Sequence, residues 1–130
     1  MQINEIIKLL LIGVGGFVGA VSRHALATYV HYLFGEAKFP IGIMIVNMIG
    51  CFLIGLLAGI VEAKDLFTEN YRLMIFSGLL GAFTTFSTFS KNTYDLFVAG
   101  HITHALLNIA VSVVLGLVAV WLGIFISTKF

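Results

Sequence analysis

The sequence predicts an all-α integral membrane protein with four transmembrane helices, and three observations predict it. Sixty per cent of its 130 residues are hydrophobic, only 10% are charged, and the mean hydropathy is +1.10. A soluble domain of this size could not hide so much apolar surface, whereas a lipid bilayer accepts it. Because backbone groups in hydrocarbon must bond within their own segment, helices are favoured over strands. The net charge of +1 gives no reason to expect a nucleic-acid partner.

Four apolar runs are each long enough for the ~20 residues that a spanning helix needs. We expect helices at about 4–33, 41–62, 70–98 and 101–128, joined by short connections, so that residues 1–130 form a single transmembrane domain. The first run continues past Ala20 and is therefore too long for the apolar part of a cleaved signal peptide. Pro40 directly precedes the second run, where a proline suits the start of a helix.

Small residues recur at four-residue spacing, which lets helix backbones approach each other closely in a membrane. The pairs are Gly15 with Gly19, Gly55 with Gly59, and Ser77 with Gly81. Such pairs can pack helices within one subunit or between two subunits, and we expect some of each.

The basic residues are nearly balanced between the two ends of the predicted helices. The end with both termini carries Lys8, Lys64, Arg72 and Lys129, and the other end carries Lys38 and Lys91, together with Arg23 if it points that way. Orientation normally follows a clear excess of positive charge on the cytoplasmic side. So small a bias leaves two alternatives open: one fixed orientation, or insertion in both orientations with pairing into an antiparallel homodimer.

Hydroxyl side chains interrupt the third run at the stretch GAFTTFSTFS, residues 81–90. Five of the seven residues from Thr84 to Ser90 are Ser or Thr. Their hydroxyls can bond the nearby backbone and loosen a helix, and Gly78 and Gly81 weaken it further. A helix broken at membrane depth can bind ions through its freed backbone groups. The alternative is that each hydroxyl simply bonds back to its own helix.

Other groups at membrane depth have both a structural and a functional interpretation. Asn47 can join two helices or line a pathway, and the same holds for Asn108 and Ser112, which share a face of the fourth helix. Arg23 can extend to the membrane surface or attract anions into a water-filled vestibule. Phe86 and Phe89 can pack in the core, but the positive edges of their rings could also stabilise a small anion; this last pair lies three residues apart on one helix face.

Several functions are disfavoured by residues that the sequence lacks. No acidic residue lies in the middle of a predicted span, which argues against a proton-coupled exporter. There is no nucleophile–base–acid arrangement and no glycine-rich phosphate loop, so we do not expect an enzyme. The lone Cys51 cannot form a disulfide within the chain.

Three motifs resemble the CrcB/Fluc family of fluoride channels along essentially the whole chain. They are GGFVGAVSRH at 15–24, VNMIGCFLIGLL at 46–57 and GLLGAFTTFSTFS at 78–90. The resemblance implies four-helix subunits with a broken third helix, which form a dual-topology antiparallel homodimer with two fluoride pores. It implies passive export of fluoride across the plasma membrane, the inner membrane in bacteria, and protection from fluoride toxicity. The alternative is a small dual-topology exporter of cationic compounds, which would need an acidic residue within the membrane.

The same resemblance assigns roles to individual residues. It implies a fluoride pathway with an amide donor, two aromatic linings, two hydroxyl donors, a vestibule arginine and a polar track on the fourth helix: Asn47, Phe86, Phe89, Ser87, Thr88, Arg23, Asn108 and Ser112. It also implies a structural sodium ion at the dimer centre, held by the backbone carbonyls of Gly81 and Thr84 from both copies. Two positions depart from the family pattern, Ile43 after Gly42 and His24 after Arg23.

Overall fold

The computed structural model describes residues 2–130, and every regular element in that range is a helix. The first two spans are α1, Ile3–Phe34, and α2, Ile41–Lys64. The third span consists of α3, Glu69–Arg72, a π-helical segment, Leu73–Leu80, α4, Gly81–Phe83, and α5, Phe86–Val98; the fourth is α6, Ile102–Ser127. All four spans are long and apolar enough to cross a membrane, which confirms a multi-pass membrane protein with four long apolar helices.

Most of the large apolar side chains lie on the outside of the bundle. The buried core is small and consists of Val30, Val46, Val61, Leu80, Phe83, Leu96 and Ala105. Exposed leucine, isoleucine, valine and aromatic side chains lie along all four spans. Such a surface is unsuited to water and matches hydrocarbon, where the helices satisfy their own backbone groups.

The pair Gly15 and Gly19 brings α1 against the third span. A Cβ atom at Gly15 would overlap the carbonyl oxygen of Met74, and one at Gly19 would overlap the carbonyl oxygen of Leu79. Gly78 makes the reciprocal contact, because a Cβ atom there would lie 2.6 Å from the carbonyl oxygen of Ile12. The backbones of α1 and the π-helical segment are therefore packed directly on each other, within one chain.

The pair Gly55 and Gly59 brings α2 against α6, and these two helices pack on each other extensively. A Cβ atom at Gly55 would overlap the carbonyl oxygen of Val120, and one at Gly59 would overlap the hydroxyl of Ser127. The third predicted pair, Ser77 and Gly81, behaves differently, because both of its residues are exposed. Two of the pairs thus pack helices within the chain, and the third faces outward.

Charged residues cluster at the end of the bundle that holds the termini. Lys8 Nζ lies 2.8 Å from a Glu69 carboxylate oxygen and ties the start of α1 to the start of the third span. Arg72 bonds the Asp65 carboxylate and, through Nε at 3.0 Å, the carbonyl oxygen of Phe67. These ion pairs are exposed and contribute little stability. The bonds of Arg72 show that the connection between α2 and α3 folds back onto α3.

The third span is interrupted in its middle, as the sequence predicted. Helical geometry ends at Phe83, and Thr84 and Thr85 are extended, with φ −85°, ψ 154° and φ −149°, ψ 115°. The α-helix resumes at Phe86. The eight-residue π-helical segment lies just before this break, a wider helical form that is common near functional sites. The break therefore exposes backbone groups at membrane depth, and their bonding partners define the candidate site.

Candidate functional site

Asn47 on α2 supplies bonding partners for the extended backbone at the break. Its Nδ2 donates to the carbonyl oxygen of Thr85 at 3.3 Å, and the backbone N–H of Thr85 donates to its Oδ1 at 2.9 Å. One Nδ2 hydrogen remains after these two bonds, because an amide group has two. Asn47 thus joins two helices, as the structural interpretation expected, and it also keeps a free donor.

Thr85 is the residue at which α5 begins, and its hydroxyl organises the first turn of that helix. Thr85 Oγ1 accepts from the Thr88 backbone N–H at 3.3 Å and donates to Thr88 Oγ1 at 3.1 Å. Ser87 Oγ lies 3.2 Å away. Threonine is favoured at this N-cap position because its oxygen satisfies a backbone donor that the first helical turn leaves unpaired.

The bonds of Asn47 and Thr85 together free two carbonyl groups. In a continuous helix the Thr85 N–H would donate to Gly81 and the Thr88 N–H to Thr84, four residues earlier in each case. Here the first donates to Asn47 Oδ1 and the second to Thr85 Oγ1. The carbonyl oxygens of Gly81 and Thr84 therefore lack their usual helical partners, and these are the two carbonyls that the family resemblance implies as sodium ligands.

A cavity of about 380 Å³ lies beside the break, between α2, the third span and α6. Four predicted pathway residues line it, namely Asn47, Phe86, Phe89 and Ser112, together with both predicted sodium-site residues. The ring centroids of Phe86 and Phe89 are 5.7 Å apart with a 43° tilt between the planes, and the Phe86 side chain is highly exposed, at 79%. The structure thus brings residues from three helices to one place.

The wall of this cavity is partly polar but uncharged. None of the described residues that line it carries a charge. Its polar groups are the Asn47 amide, the hydroxyls of Ser112 and two threonines, and the backbone at the break, while the remaining wall is apolar. The hydroxyls donate to other groups of the protein. The remaining Asn47 N–H and the aromatic ring edges present partial positive charge, so the cavity can stabilise a small anion without the strong retention that a buried lysine would cause.

The polar pair on α6 is divided between the cavity and the interior. Ser112 faces the cavity, whereas Asn108, one turn earlier, is only 1% exposed. Asn108 Nδ2 donates to Thr93 Oγ1 on α5 at 2.9 Å, and Asn108 Oδ1 accepts from Ser112 Oγ at 3.4 Å. Asn108 therefore joins α5 to α6 and reaches the cavity only through Ser112.

Besides Asn108, three predicted pathway residues lie outside the cavity wall of the single chain. Ser87 is exposed and Thr88 is half-buried, and both bond to the Thr85 hydroxyl. Arg23 is half-buried in the second half of α1. The sequence did not predict an individual role for Thr85 or for Thr93. For Thr85 a signal was available, because threonine is favoured at helix starts.

A second cavity, of about 490 Å³, lies at the end of the bundle away from the termini. It is formed by the end of α1, the connection to α2 and the last turns of α5, and it includes His31, Lys38, Asp95 and His101. None of the predicted site residues lines it.

Comparison with known proteins gives a consistent result. Residues 10–124 match the model of the family described as "CrcB-like protein, Camphor Resistance (CrcB)". A "Fluoride-specific ion channel FluC" of Hydrogenovibrio crunogenus is 42% identical over 130 residues, which cover all of this chain and 98% of the relative. The protein of the same description from Geobacter sulfurreducens is 47% identical over 89% of this chain and 93% of the relative. The "Fluoride-specific ion channel FluC 1" of Methanosarcina acetivorans is 42% identical over 88% of this chain and 86% of the relative.

Proposed function

Since this chain belongs to the CrcB/FluC family, we propose that it is a fluoride-specific ion channel that lets fluoride leave the cell passively across the plasma membrane. The observation that carries the proposal is the uncharged cavity at the helix break, which is lined by Asn47 with its free N–H and by Phe86 and Phe89, in a chain whose full-length relatives are fluoride channels. An enzymatic role has no support, because the family consists of channels.

The chemistry of the cavity suits fluoride better than chloride. Fluoride is small, strongly hydrated and a strong hydrogen-bond acceptor, so it gives up water only where several donors are closely spaced. The free Nδ2 hydrogen of Asn47 and the ring edges of Phe86 and Phe89 are donors of this kind. The Ser112 hydroxyl becomes one if it turns from Asn108 Oδ1, to which it donates at 3.4 Å. All are uncharged, and conduction requires binding weak enough for release. Chloride gains less from such donors and needs a wider path.

We propose further that the working unit is an antiparallel homodimer of oppositely inserted copies. Three observations support this. The cavity beside the 79% exposed Phe86 ring holds polar groups at membrane depth, and a second copy would shield them from lipid. The small pair Ser77 and Gly81 faces outward on the same span, where it permits close approach of a second helix. The nearly balanced basic residues remove a clear preference for one orientation.

The dimer would bring into the pathway three predicted residues that lie outside the cavity wall of a single chain. Ser87 is exposed and bonded to the helix cap, Thr88 sits next to it, and Arg23 lies on α1. We assign Ser87 and Thr88 as further hydroxyl donors and Arg23 as a vestibule charge, on the condition that the second copy closes the route around them. Asn108 supports this route through its bond with Ser112.

The break also fits a structural sodium ion. Hard cations prefer oxygen ligands, and unwound carbonyls at helix breaks are a known type of Na⁺ ligand. The carbonyl oxygens of Gly81 and Thr84 have lost their helical donors to Asn47 and Thr85, so they are available as ligands. Gly81 is exposed, and the same two carbonyls from a second copy would raise the ligand number to four. When bound, the ion would supply a positive charge at the dimer centre that holds together the carbonyl groups of the two broken helices.

The physiological benefit follows from acid–base chemistry. Fluoride enters cells as the neutral acid and is trapped as the anion where the cytoplasmic pH is higher. A passive pathway for the anion then lets it leave down its electrochemical gradient, which protects the cell from fluoride toxicity.

Efflux from liposomes tests the proposed function. Purified protein is reconstituted into liposomes loaded with potassium fluoride or potassium chloride, and valinomycin is added so that potassium balances the charge. Ion-selective electrodes should record rapid fluoride release and little chloride release. Release of neither ion, or of both equally, would refute a fluoride-specific channel, and proton-coupled uptake of a cationic dye would identify the alternative exporter.

A further inference from the structure

Helix α5 carries two of the three aromatic rings that line the cavity, Phe86 and Phe89, yet few of its side chains are buried. Of its 13 residues, only Thr93 and Leu96 are buried. It packs mainly against α6. The rotation of α5 about its axis, and with it the direction of the Phe89 ring, therefore depends on a small number of contacts with α6.

Thr93 is the polar member of that small group. Asn108 Nδ2 donates to Thr93 Oγ1 at 2.9 Å, and Thr93 Oγ1 donates to the carbonyl oxygen of Phe89 at 2.8 Å. Thr93 is 6% exposed and Asn108 is 1% exposed. Asn108 Oδ1 accepts from Ser112 on the cavity wall. A continuous chain of hydrogen bonds thus runs from the α6 wall of the cavity to the backbone of the helix that carries the opposite wall.

We propose that Thr93 is a positioning residue for the pathway, and that it acts through Phe89; the inference rests on the proposed channel function. Thr93 follows Phe89 by one helical turn, so the two side chains leave α5 on the same side. Apolar packing is not directional, whereas a hydrogen bond requires both a short distance and a favourable angle. The bond between Thr93 and Asn108 can therefore set a rotation of α5 that the Leu96 contact alone would leave loose.

The hydroxyl of Thr93 is tested with two substitutions that separate its bonding from its shape. Thr93→Val keeps the shape but removes the hydroxyl, which leaves the Asn108 amide without an acceptor. Thr93→Ser keeps the hydroxyl and removes only a methyl group. We expect Thr93→Val to lower the rate of fluoride efflux per channel about tenfold, and Thr93→Ser to remain within about twofold of the unsubstituted protein.

A folding defect must be separated from a positioning defect. At a protein-to-lipid ratio low enough to leave many liposomes empty of protein, the share of liposomes that release fluoride reports how many channels are folded. The rate within that share reports permeation. For Thr93→Val we expect an unchanged share, a lower rate and a lower ratio of fluoride to chloride release, since a rotated ring weakens the fit to the smaller ion.

Ser127→Ala is the matched control. Ser127 is buried and its hydroxyl bonds back to its own helix, to the Ile124 carbonyl oxygen at 2.6 Å, but it lies outside the cavity wall. Its efflux rate and selectivity should equal those of the unsubstituted protein.

Three results would overturn the inference. Thr93→Val could conduct at the full rate, Thr93→Ser could lose as much rate as Thr93→Val, or Thr93→Val could lower only the share of active liposomes. Failure of the proposed function is a different result, because it would be seen as an absence of fluoride efflux in the unsubstituted protein. The inference about Thr93 is judged only by comparing its variants with that protein.

Discussion

The side chain of Asn47 bonds to both backbone groups of Thr85, donating from Nδ2 to the carbonyl oxygen at 3.3 Å and accepting the N–H at Oδ1 at 2.9 Å. An extended residue normally finds such partners on a neighbouring strand, and a membrane offers no water as a substitute. The amide on α2 therefore makes the break tolerable, while its remaining N–H can serve the ion. One residue combines a structural task with the proposed functional one.

The first prediction concerns Asn47. Asn47→Asp keeps an acceptor for the Thr85 N–H but replaces the donor by a negative charge, so we expect a folded protein without fluoride efflux. Asn47→Leu removes both bonds, so it should also destabilise the fold, by about 1–3 kcal/mol. Efflux assays and thermal unfolding in detergent measure the two effects. Met48→Leu, on the same cavity wall, should conduct normally; efflux from the Asp variant at the full rate would contradict the donor role.

The second prediction concerns the aromatic rings. Phe86→Ile and Phe89→Ile each remove a ring edge while retaining apolar bulk, so both should impair fluoride efflux and leave the oligomeric state unchanged on size-exclusion chromatography. Phe97→Ile is the control, since Phe97 lies on the same helix but outside the cavity wall. Unchanged efflux from a ring variant would remove that ring from the mechanism.

The third prediction concerns the helix cap. Thr85→Val removes the oxygen that accepts from the Thr88 N–H, which should cost about 0.5–2 kcal/mol of stability. It should also lower fluoride efflux, because the start of α5 determines where Phe86 stands. Thr85→Ser should retain both properties. As a control, Thr128→Val removes an exposed hydroxyl bonded to Phe125, and it should change neither.

The fourth prediction concerns the close contact of α1 with the third span. Gly19→Ala would place a methyl group against the Leu79 carbonyl, and the resulting overpacking should destabilise the protein by about 1–3 kcal/mol. Gly13→Ala is the matched control on the same helix, because, apart from the adjoining residues and the nearby backbone of α1 itself, no described atom lies within 4 Å of the added methyl group. Thermal unfolding should rank Gly19→Ala clearly below Gly13→Ala, and equal stability would contradict the packing.

The fifth prediction concerns sodium. A cation that binds only the assembled, folded protein stabilises it in proportion to the logarithm of its concentration above the dissociation constant. The unfolding temperature in detergent should therefore rise with NaCl more than with choline chloride at the same ionic strength. An identical rise with both salts would argue against a sodium site at Gly81 and Thr84.

Much of the candidate site could be predicted before any coordinates. One cavity is lined by four of the residues that the sequence marks as polar or aromatic at membrane depth or by family resemblance, Asn47, Phe86, Phe89 and Ser112. For Asn108 the sequence leaves open a pathway lining or a bond between helices, and in the structure it is buried and bonds α6 to α5. The sequence shows Thr85 only as one of five hydroxyl residues, because its capping role depends on a backbone conformation that the hydroxyl run alone does not specify.

The sequence by itself determined the membrane class, the four spans and the place of the break. These depend on the polarity of each segment and on bonding between a residue and its near neighbours, which composition and spacing report directly. Only the tertiary structure decided which polar groups meet. Asn47 and Thr85 are 38 residues apart, and Thr93 and Asn108 are 15 apart on different helices. Such partners are chosen by the depth and rotation of packed helices, since a hydrogen bond forms only within a narrow range of distance and angle.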